Sequence, residues 1–280
     1  CPAKRDSLMK RILFFTDTPI AGGAELQMFL LAKFLSREKY AVSLACLANP
    51  SLDKWCKEFE EEKIPTYRLP FLYKNNPKIF FALKKIFSEE KPDLLHIHLW
   101  NPASCRFAFL AARICGIPFV ITEHDPFPLS TAKRWLKQWL VNNQRAVITV
   151  SKENQMILGA EYAGGNVVHI PNGIDYAFWK KTVEASGDKR KKIRGGLSIS
   201  ENQFVIINVA ALHERKGQET LLAAFSQLLR DKTFQDTRDP VLLLAGEGEH
   251  RKRFEKLAQK FSLGNRVKFL GFRSDIPELL

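Results

Sequence analysis

The stretch that decides the fold runs from Arg11 to Gln27 and reads RILFFTDTPIAGGAELQ. Its first part, Ile12–Phe15, is a continuous apolar run, which is typical of a strand buried on both faces. Polar residues end this strand, and Gly22-Gly23 then precede a segment whose apolar residues recur at helical spacing. Backbone N–H groups at a helix N-terminus attract anions, and glycine lets a ligand approach closely. The stretch therefore predicts either an anion-binding corner or the ordinary first loop of an α/β domain.

The same alternation of strand and helix continues along the chain. Further strands are predicted at 41–47, 66–69, 93–99, 119–122, 146–150, 167–170, 204–210, 241–245 and 267–270, and further helices at 51–62, 77–90, 103–115, 131–141, 152–159, 218–229 and 250–261. Strict alternation is typical of parallel, doubly wound sheets with helices on both faces. We therefore predict an α/β fold of two Rossmann-like domains, the first at 9–174 and the second, with only three strands, at 204–280. The polar, basic residues 175–203 are interpreted as the linker region.

Composition limits the function classes without choosing one. The chain has 280 residues, 45% of them apolar, which is enough for two ordinary cores. No apolar stretch approaches the ~20 residues that a membrane span needs. The five cysteines are widely spaced without a CxxC pair, which favours reduced thiols in a cytoplasmic protein. The net charge of +13 suits nucleic acid, phosphorylated small molecules or an anionic membrane face.

Seven short motifs occur in a fixed order along the chain. They are GGAE at 22–25, HIH at 96–98, TEH at 122–124, PNGID at 171–175, KG at 216–217, LLLAGEGEHR at 242–251 and VKFLGF at 267–272. In this order and spacing they resemble the family-4 retaining glycosyltransferases of the GT-B fold, over the whole length from Met9 onward. The resemblance implies an N-terminal domain that receives the acceptor and a C-terminal domain that holds a nucleotide sugar. Ligands of such folds bind in the crevice at the carboxyl ends of the strands.

The resemblance also implies roles for individual residues. The implied donor contacts are Gly22, Gly23, Asn172, Gly173, Arg215, Lys216, Gly246, Glu247, Phe272 and Arg273. Lys216 would neutralise charge on the leaving diphosphate, and His124 would contact the reacting sugar, so these two are the candidate catalytic residues. His98 and Glu25 are the candidate acceptor-binding residues, with His96 on the same strand face behind His98. No metal or other cofactor is expected, and each position keeps a purely structural alternative.

Two departures from the family pattern bear on activity. Ala211 stands where the family commonly has arginine, so phosphate binding is expected to depend more strongly on Lys216. The acidic E-x7-E motif of the family lies beyond the VKFLG segment, and this sequence ends at Leu280. We therefore expect a fragment whose full-length parent is the competent enzyme.

Two segments combine basic residues with an apolar stripe. The stripe of the first is Ile79, Phe80, Leu83, Ile86 and Phe87, and that of the second is Trp135, Leu136, Trp139 and Leu140. Both stripes fit core-facing helices with a solvated basic face. The alternative is that one of them rests on an anionic bilayer, as in a peripheral protein at the inner face of the cell membrane.

We therefore expect a glycosyltransferase that moves a sugar from a UDP- or GDP-sugar to a glycan or lipid-linked acceptor in cell-surface polysaccharide synthesis. The resemblance implies front-face attack, in which the leaving phosphate takes the proton of the acceptor. One alternative is a GT-B-fold epimerase of nucleotide sugars, which would need no acceptor. A basic nucleic-acid-binding module is a further alternative, although no nucleic-acid motif is recognised and no nucleic-acid partner is expected.

Overall fold

A computed structural model of the chain describes residues 9–125, 129–142, 144–162, 165–185, 189–231 and 239–280. The chain divides into two compact units, one up to Ile174 and the other from Asp175 onward. Each unit is an α/β layer structure with its own parallel sheet and its own core.

Seven parallel strands form the sheet of the N-terminal unit, in the order β3-β2-β1-β4-β5-β6-β7. They are β1 (Lys10–Phe15), β2 (Tyr40–Leu47), β3 (Thr66–Leu69), β4 (Leu94–Leu99), β5 (Phe119–Glu123), β6 (Gln144–Thr149) and β7 (Val167–His169). The chain first builds outward to the β3 edge and then returns to the centre with β4. The strand order therefore reverses between β1 and β4, which is the feature that defines a doubly wound sheet.

Within the described residues of this unit, six α-helices cover the sheet. They are α1 (Gly23–Phe34), α2 (Asp53–Glu61), α3 (Lys78–Glu90), α4 (Arg106–Cys115), α5 (Thr131–Val141) and α6 (Lys152–Glu161). Successive strand residues point to opposite faces, so Leu13 and Phe15 belong to the core beneath α3 to α6. Phe14 belongs to the core of the opposite face, which α1 and α2 cover. The hydroxyl of Ser151 accepts a hydrogen bond from the Asn154 N–H and so caps α6.

Three parallel strands form the sheet of the C-terminal unit, in the order β10-β9-β8. They are β8 (Gln203–Val209), β9 (Asp239–Ala245) and β10 (Val267–Gly271), and the helices are α7 (Tyr176–Glu184), α8 (Lys189–Gly196), α9 (Gln218–Leu228), α10 (Arg251–Lys260) and α11 (Ile276–Leu279). Residues 186–188 of the segment interpreted as a linker lie outside the described residues. The rest of that segment contains α7 and α8, both of which contact α11. The predicted fold class, two Rossmann-like α/β units with fewer strands in the second, is confirmed.

The apolar stripe of α3 faces the core, as one of its two interpretations expects. Its side chains Ile79, Leu83, Ile86 and Phe87 are buried, and Phe80 is half-buried against the same core. This packing accounts for the stripe without a membrane.

The stripe of α5 follows the prediction of a core-facing helix only at Leu140, which is buried in the core. Trp135, Leu136 and Trp139 are exposed, whereas Lys137 is buried with only 5% of its surface accessible. The physical reason is a partner that is remote in sequence. The Lys137 Nζ lies 2.8 and 2.9 Å from the two carboxylate oxygens of buried Glu123. This ion pair turns the lysine inward and leaves the two tryptophans outside.

Candidate active site

A cavity of about 360 Å³ lies in the N-terminal unit, on the sheet face beside α1. Its apolar lining comes from Leu30, Leu31, Phe34, Ile148, Val150, Ile170, Pro171 and Ile174, and its polar lining from Gln27, His96, His98, Thr122, His124 and Asn172. Since β4 alternates between faces, His96 and His98 point the same way, as predicted. The fold therefore brings four sequence-predicted site residues into one cavity, namely His98, His124, Asn172 and Gly173.

The three histidines of this cavity form a row. The ring centroids of His96 and His98 are 4.2 Å apart, and those of His98 and His124 are 6.1 Å apart. The His96 Nε2 lies 2.8 Å from the Thr122 hydroxyl. Both ring nitrogens of His98 and the Nε2 of His124 have no hydrogen-bond partner among the described residues. Buried polar atoms normally have partners, so these three atoms are available to hydrogen-bond a ligand or a water molecule.

Burial keeps these imidazoles neutral. It lowers the pKa of His96 to about 3, and His124 adds a smaller repulsive contribution. The pKa of His98 is likewise lowered well below its usual value, first by burial and then by its two histidine neighbours. Burial also lowers the pKa of His124. A neutral imidazole has one N–H donor and one acceptor nitrogen, which suits the hydroxyl groups of a sugar. In the described ranges, no group of three His, Cys, Asp or Glu residues is placed to hold a metal.

The Gly-Gly corner lies at the start of α1. The Gly22 N–H donates to the Glu25 carboxylate at 2.9 Å, and Glu25 is 5% exposed. Burial raises the pKa of this carboxyl, while the backbone N–H groups of Glu25 and Gly22 partly oppose the rise. Glu25, the candidate acceptor residue, therefore caps the helix within its own unit. A Cβ at Gly23 would meet nothing within 4 Å, so the fold itself does not require glycine there.

The segment after β7 packs against α1. Gly173 and the side chain of Gln27 exchange two hydrogen bonds of 2.9 Å, one in each direction. Asn172 is exposed and lines the cavity. Gln27 thus holds the predicted donor loop in place, although no motif in the sequence marked it.

In the C-terminal unit, the loop after β8 carries the candidate lysine. Residues Glu214–Lys216 form a 3₁₀ turn, and Gly217 (φ 71°) precedes α9. The His213 ring accepts the Arg215 N–H at 3.2 Å and so supports the turn. Lys216 is exposed, and its ammonium makes no ion pair with the described residues. The lysine is therefore available to an anionic ligand.

The glycine turn after β9 lies very close to the loop after β8. A Cβ at Gly246 would lie 2.0 Å from the Ala210 carbonyl oxygen, and one at Gly248 would lie 2.4 Å from that of Leu212. Gly246 also has φ 149°, a conformation that favours glycine. Both glycines are therefore required by the packing of the two loops, whether or not they contact a donor. This packing also fixes the backbone around Ala211.

The remaining predicted donor residues differ in their availability. Glu247 pairs with Arg251, and the guanidinium of Arg273 is held by Asp275. Phe272 is 75% exposed. The side chains of Glu247 and Arg273 are thus already paired within their own unit, whereas the ring of Phe272 is exposed.

A buried network behind His124 was not anticipated from the sequence. Glu123 is fully buried, and its carboxylate accepts hydrogen bonds from Lys137 and from the Tyr162 hydroxyl at 2.8 Å. Burial raises the pKa of Glu123, and the nearby Lys137 charge opposes the rise. Glu161 adds a second, weaker contact to Lys137 at 3.4 Å. In the sequence, the signal for this network was the position of Glu123, a charged residue at the end of an apolar strand.

Two α/β units, each with its own parallel sheet and with glycine turns at strand ends, are the architecture of the GT-B fold. Residues 21–178 match the model of Glycosyltransferase Family 4, and residues 189–280 match that of Glycosyl transferases group 1. Since the first match alone covers more than half of the chain, the chain belongs to glycosyltransferase family 4. The resemblance inferred from the seven motifs is confirmed.

The chain is similar to several bacterial sugar transferases. It is 24% identical to the Escherichia coli UDP-Gal:alpha-D-GlcNAc-diphosphoundecaprenol alpha-1,3-galactosyltransferase, with 94% of this chain and 68% of that protein covered. It is 29% identical to the putative glycosyltransferase EpsD of Bacillus subtilis, with 79% of this chain and 58% of that protein covered. The chain therefore spans between about half and two thirds of the length of these relatives.

Solved structures show the same fold. The glycosyltransferase from Rickettsia africae superposes with a TM-score of 0.78 at 19% identity, covering 97% of this chain and 70% of that one. HepE from Anabaena, solved in complex with UDP, gives a TM-score of 0.72 at 23% identity, covering 97% and 71%. In the described part of the chain, none of the helices has both the length and the apolar character needed to cross a bilayer.

Proposed function

We propose that the protein transfers a sugar from a UDP-sugar to a lipid-linked acceptor during the synthesis of a cell-surface polysaccharide. The observation that carries the proposal is that family models of glycosyltransferases match both units of the chain. The names of the relatives support the substrate classes. One acts on a diphosphoundecaprenol-linked sugar, and HepE was solved with UDP-glucose as well as with UDP.

Lys216 is the proposed contact to the leaving diphosphate. When the acceptor oxygen attacks the anomeric carbon, the bond from that carbon to the phosphate oxygen breaks and its electron pair stays on the diphosphate. A positive charge at this point stabilises the transition state more than the ground state. Lys216 is exposed without an ionic partner in its described surroundings, and Ala211 adds no charge. The proposal needs no metal, since the lysine supplies the positive charge and the leaving phosphate takes the acceptor proton.

The proposed sugar contacts are His124 and His98. Both are neutral, and together they present three ring nitrogens without a partner in the described part of the chain. Neutral imidazoles can donate to and accept from sugar hydroxyls without introducing a charge. The backbone at Gly22 and Gly23 is proposed to approach the sugar diphosphate, since glycine at position 23 leaves open space.

We further propose that the protein acts at the anionic inner face of the membrane that carries its acceptor. Exposed Trp135, Leu136 and Trp139 lie on α5 with exposed Lys133 and Arg134 beside them. Aromatic residues beside basic ones suit an anionic bilayer surface. The expected result is sedimentation with phosphatidylglycerol vesicles that weakens with salt and with Trp135→Ser. Equal sedimentation of wild type and variant would remove this part of the proposal.

The epimerase alternative has a weaker basis. A putative UDP-N-acetylglucosamine 2-epimerase from Listeria monocytogenes shares the fold with a TM-score of 0.60 at 16% identity. Such a likeness concerns the fold alone, and the same fold carries different reactions. Family membership also leaves no support for the nucleic-acid-binding alternative.

The experiment is a transfer assay that identifies the products. The full-length protein is incubated with UDP-glucose, UDP-galactose or UDP-GlcNAc and with GlcNAc-diphosphoundecaprenol, and the lipid fraction is analysed by mass spectrometry. The proposal expects a lipid whose mass increases by one sugar, with one UDP released per transfer. A new UDP-sugar formed without acceptor would instead establish an epimerase. Absence of any sugar addition to the lipid would overturn the proposal.

A further inference from the structure

The loop after β8 is hydrogen-bonded to neighbouring parts of its own unit. The Leu212 N–H donates to the Glu247 carbonyl oxygen at 2.9 Å, and the Leu212 carbonyl oxygen accepts the His250 N–H at 3.2 Å. The side chain of Gln218, which is fully buried, donates to the Ala211 carbonyl oxygen at 2.9 Å. These bonds fix the part of the loop that precedes the 3₁₀ turn.

A histidine side chain holds the turn itself. His213 is the residue before the turn, and its Nδ1 accepts the backbone N–H of Arg215 at 3.2 Å. This is an N-cap, in which a side chain supplies the partner that the first N–H groups of a helical turn lack. The N–H of Lys216 donates to the His213 carbonyl oxygen at 2.9 Å. His213 therefore fixes the backbone from which the Lys216 side chain extends.

The glycine turn after β9 orients the His213 ring. Since Nδ1 accepts a hydrogen bond, the proton of the neutral ring lies on Nε2. This Nε2 lies 3.3 Å from the Glu249 Oε1, so the N–H side of the ring faces a carboxylate, which favours this tautomer. The ring also packs edge to face against that of His250, with 5.4 Å between the centroids. The orientation of the cap is thus set by the turn that follows β9.

The acidic residues beside Lys216 are engaged by another helix. Glu214 and Glu219 are the carboxylates nearest to Lys216 in the sequence. Arg253 of α10 lies 3.5 Å from the Glu214 carboxylate and 2.5 Å from that of Glu219. These two negative charges are therefore already compensated, and the lysine on the capped turn stays available to an anionic ligand.

We propose that His213 is a positioning residue for sugar transfer, and that its Nδ1, oriented by Glu249, holds the turn that directs Lys216 toward the leaving diphosphate. This inference rests on the proposed function, because His213 acts in it only through Lys216. A charge stabilises a transition state best when its position is fixed before the reaction. Without the cap, the Arg215 N–H loses its partner and the ammonium spends less time at the required place. The loss falls on kcat more than on KM, since the lysine acts on charge that develops as the bond breaks.

The test compares two substitutions of His213 in the full-length protein by steady-state kinetics of sugar transfer. His213→Asn keeps an acceptor at the place of Nδ1, since asparagine is among the best N-cap residues. His213→Gln keeps an N–H near the place of Nε2 but has no acceptor at the place of Nδ1. The proposal expects kcat within about threefold of the wild type for His213→Asn and about tenfold lower for His213→Gln, with KM for the UDP-sugar within about threefold in both.

The matched control removes a similar cap elsewhere. The side chain of Asn49 accepts the Ser51 N–H at 3.0 Å and so caps the 3₁₀ turn Pro50–Leu52 in the N-terminal unit. That turn carries no proposed site residue, so Asn49→Ala should keep the wild-type kcat. Thermal unfolding checks that each variant is folded.

A double-mutant cycle shows whether His213 acts through the lysine. In the background of Lys216→Ala, His213→Gln should lower the rate by less than about twofold, since no ammonium is left to position. A tenfold loss in both backgrounds, a wild-type kcat in His213→Gln, or a His213→Asn as slow as His213→Gln would each overturn the inference alone. A full-length protein that transfers no sugar, or a Lys216→Ala variant at the wild-type rate, would overturn the proposed function and the inference with it.

Discussion

Glu123 and His124 are neighbours in the chain, yet they differ in whether their buried polar atoms have hydrogen-bond partners. The carboxylate of Glu123 is fully buried and meets Lys137 and Tyr162 at 2.8 to 2.9 Å. The Nε2 of His124 and both ring nitrogens of His98 have no partner among the described residues. The protein itself supplies the hydrogen-bond partners of the Glu123 carboxylate, whereas the histidine nitrogens remain available to a ligand or a water molecule.

This difference in hydrogen bonding indicates different roles for the two groups, although both lie at the same edge of one sheet. A satisfied buried network holds helices on the sheet and gains nothing from a ligand. An unsatisfied group costs free energy in the empty protein and recovers it when a ligand supplies the missing hydrogen bonds. The paired network should therefore control stability, and the unpaired histidines should control binding with little effect on stability at pH 7.5.

The largest expected effect comes from breaking the buried ion pair. Lys137→Met leaves the Glu123 carboxylate buried without its cation, and such a loss typically costs about 3–5 kcal/mol of unfolding free energy. Urea denaturation followed by tryptophan fluorescence measures it, with Lys85→Met, at an exposed position of α3, as the matched control. A cost below about 1 kcal/mol would show that the pair does not hold α5 on the sheet.

The next effect is a change in pH dependence at His98. Its pKa in the folded protein lies well below 6.5, so the unfolded chain binds more protons below pH 6.5. Burial of His98 therefore does not reduce the free energy of unfolding above pH 6.5, but it reduces this free energy progressively as the pH falls below 6.5. Between pH 7.5 and pH 5 one such histidine contributes a loss of about 2 kcal/mol.

The variant His98→Phe lacks this titrating group. Between pH 7.5 and pH 5 its free energy of unfolding should therefore decrease by about 2 kcal/mol less than that of the wild type. At pH 7.5 the two should agree within about 1 kcal/mol, because an unpartnered polar ring is replaced by an apolar one of similar shape. Denaturation curves at both pH values make the measurement. Identical pH dependence of wild type and variant would contradict burial of a neutral His98.

The smallest effect is expected at the edge of the paired network. Tyr162→Phe removes one hydroxyl donor from Glu123 but keeps the ring that Lys137 contacts at 5.0 Å. The loss of one hydrogen bond to a charged group is worth about 1.5 kcal/mol at the lower end of its range, which is expected here because Lys137 keeps its contact with the carboxylate. A destabilisation as large as that of Lys137→Met would mean that the hydroxyl, rather than the ion pair, organises the network.

Much of the fold was predictable because it depends on local patterns. Apolar runs such as Ile12–Phe15 mark buried strands, and the predicted strand and helix bounds lie close to those observed. The shared orientation of His96 and His98 followed from strand geometry alone. The orientation of α5 did not follow, because the partner of Lys137 lies on another element and the apolar pattern of Trp135 and Trp139 fits either face.

The candidate site was predictable only in its residue types. Motif order placed His124 and Lys216 among the candidates, but not the unpartnered state of the histidine nitrogens, which depends on packing between strands. The sequence also gave no sign that Gly246 and Gly248 are required by close approach of another loop. His213 was overlooked because its role depends on Glu249, which is remote in the chain.

The most direct test of the central claim is the rate of sugar transfer by the full-length protein that carries Lys216→Ala. If Lys216 stabilises the leaving diphosphate, its loss should reduce transfer from the UDP-sugar by about a hundredfold or more. Lys252→Ala, a surface lysine in the same unit, should transfer at the wild-type rate. Unfolding curves that match the wild type would exclude misfolding. Transfer by Lys216→Ala at the wild-type rate would contradict the account.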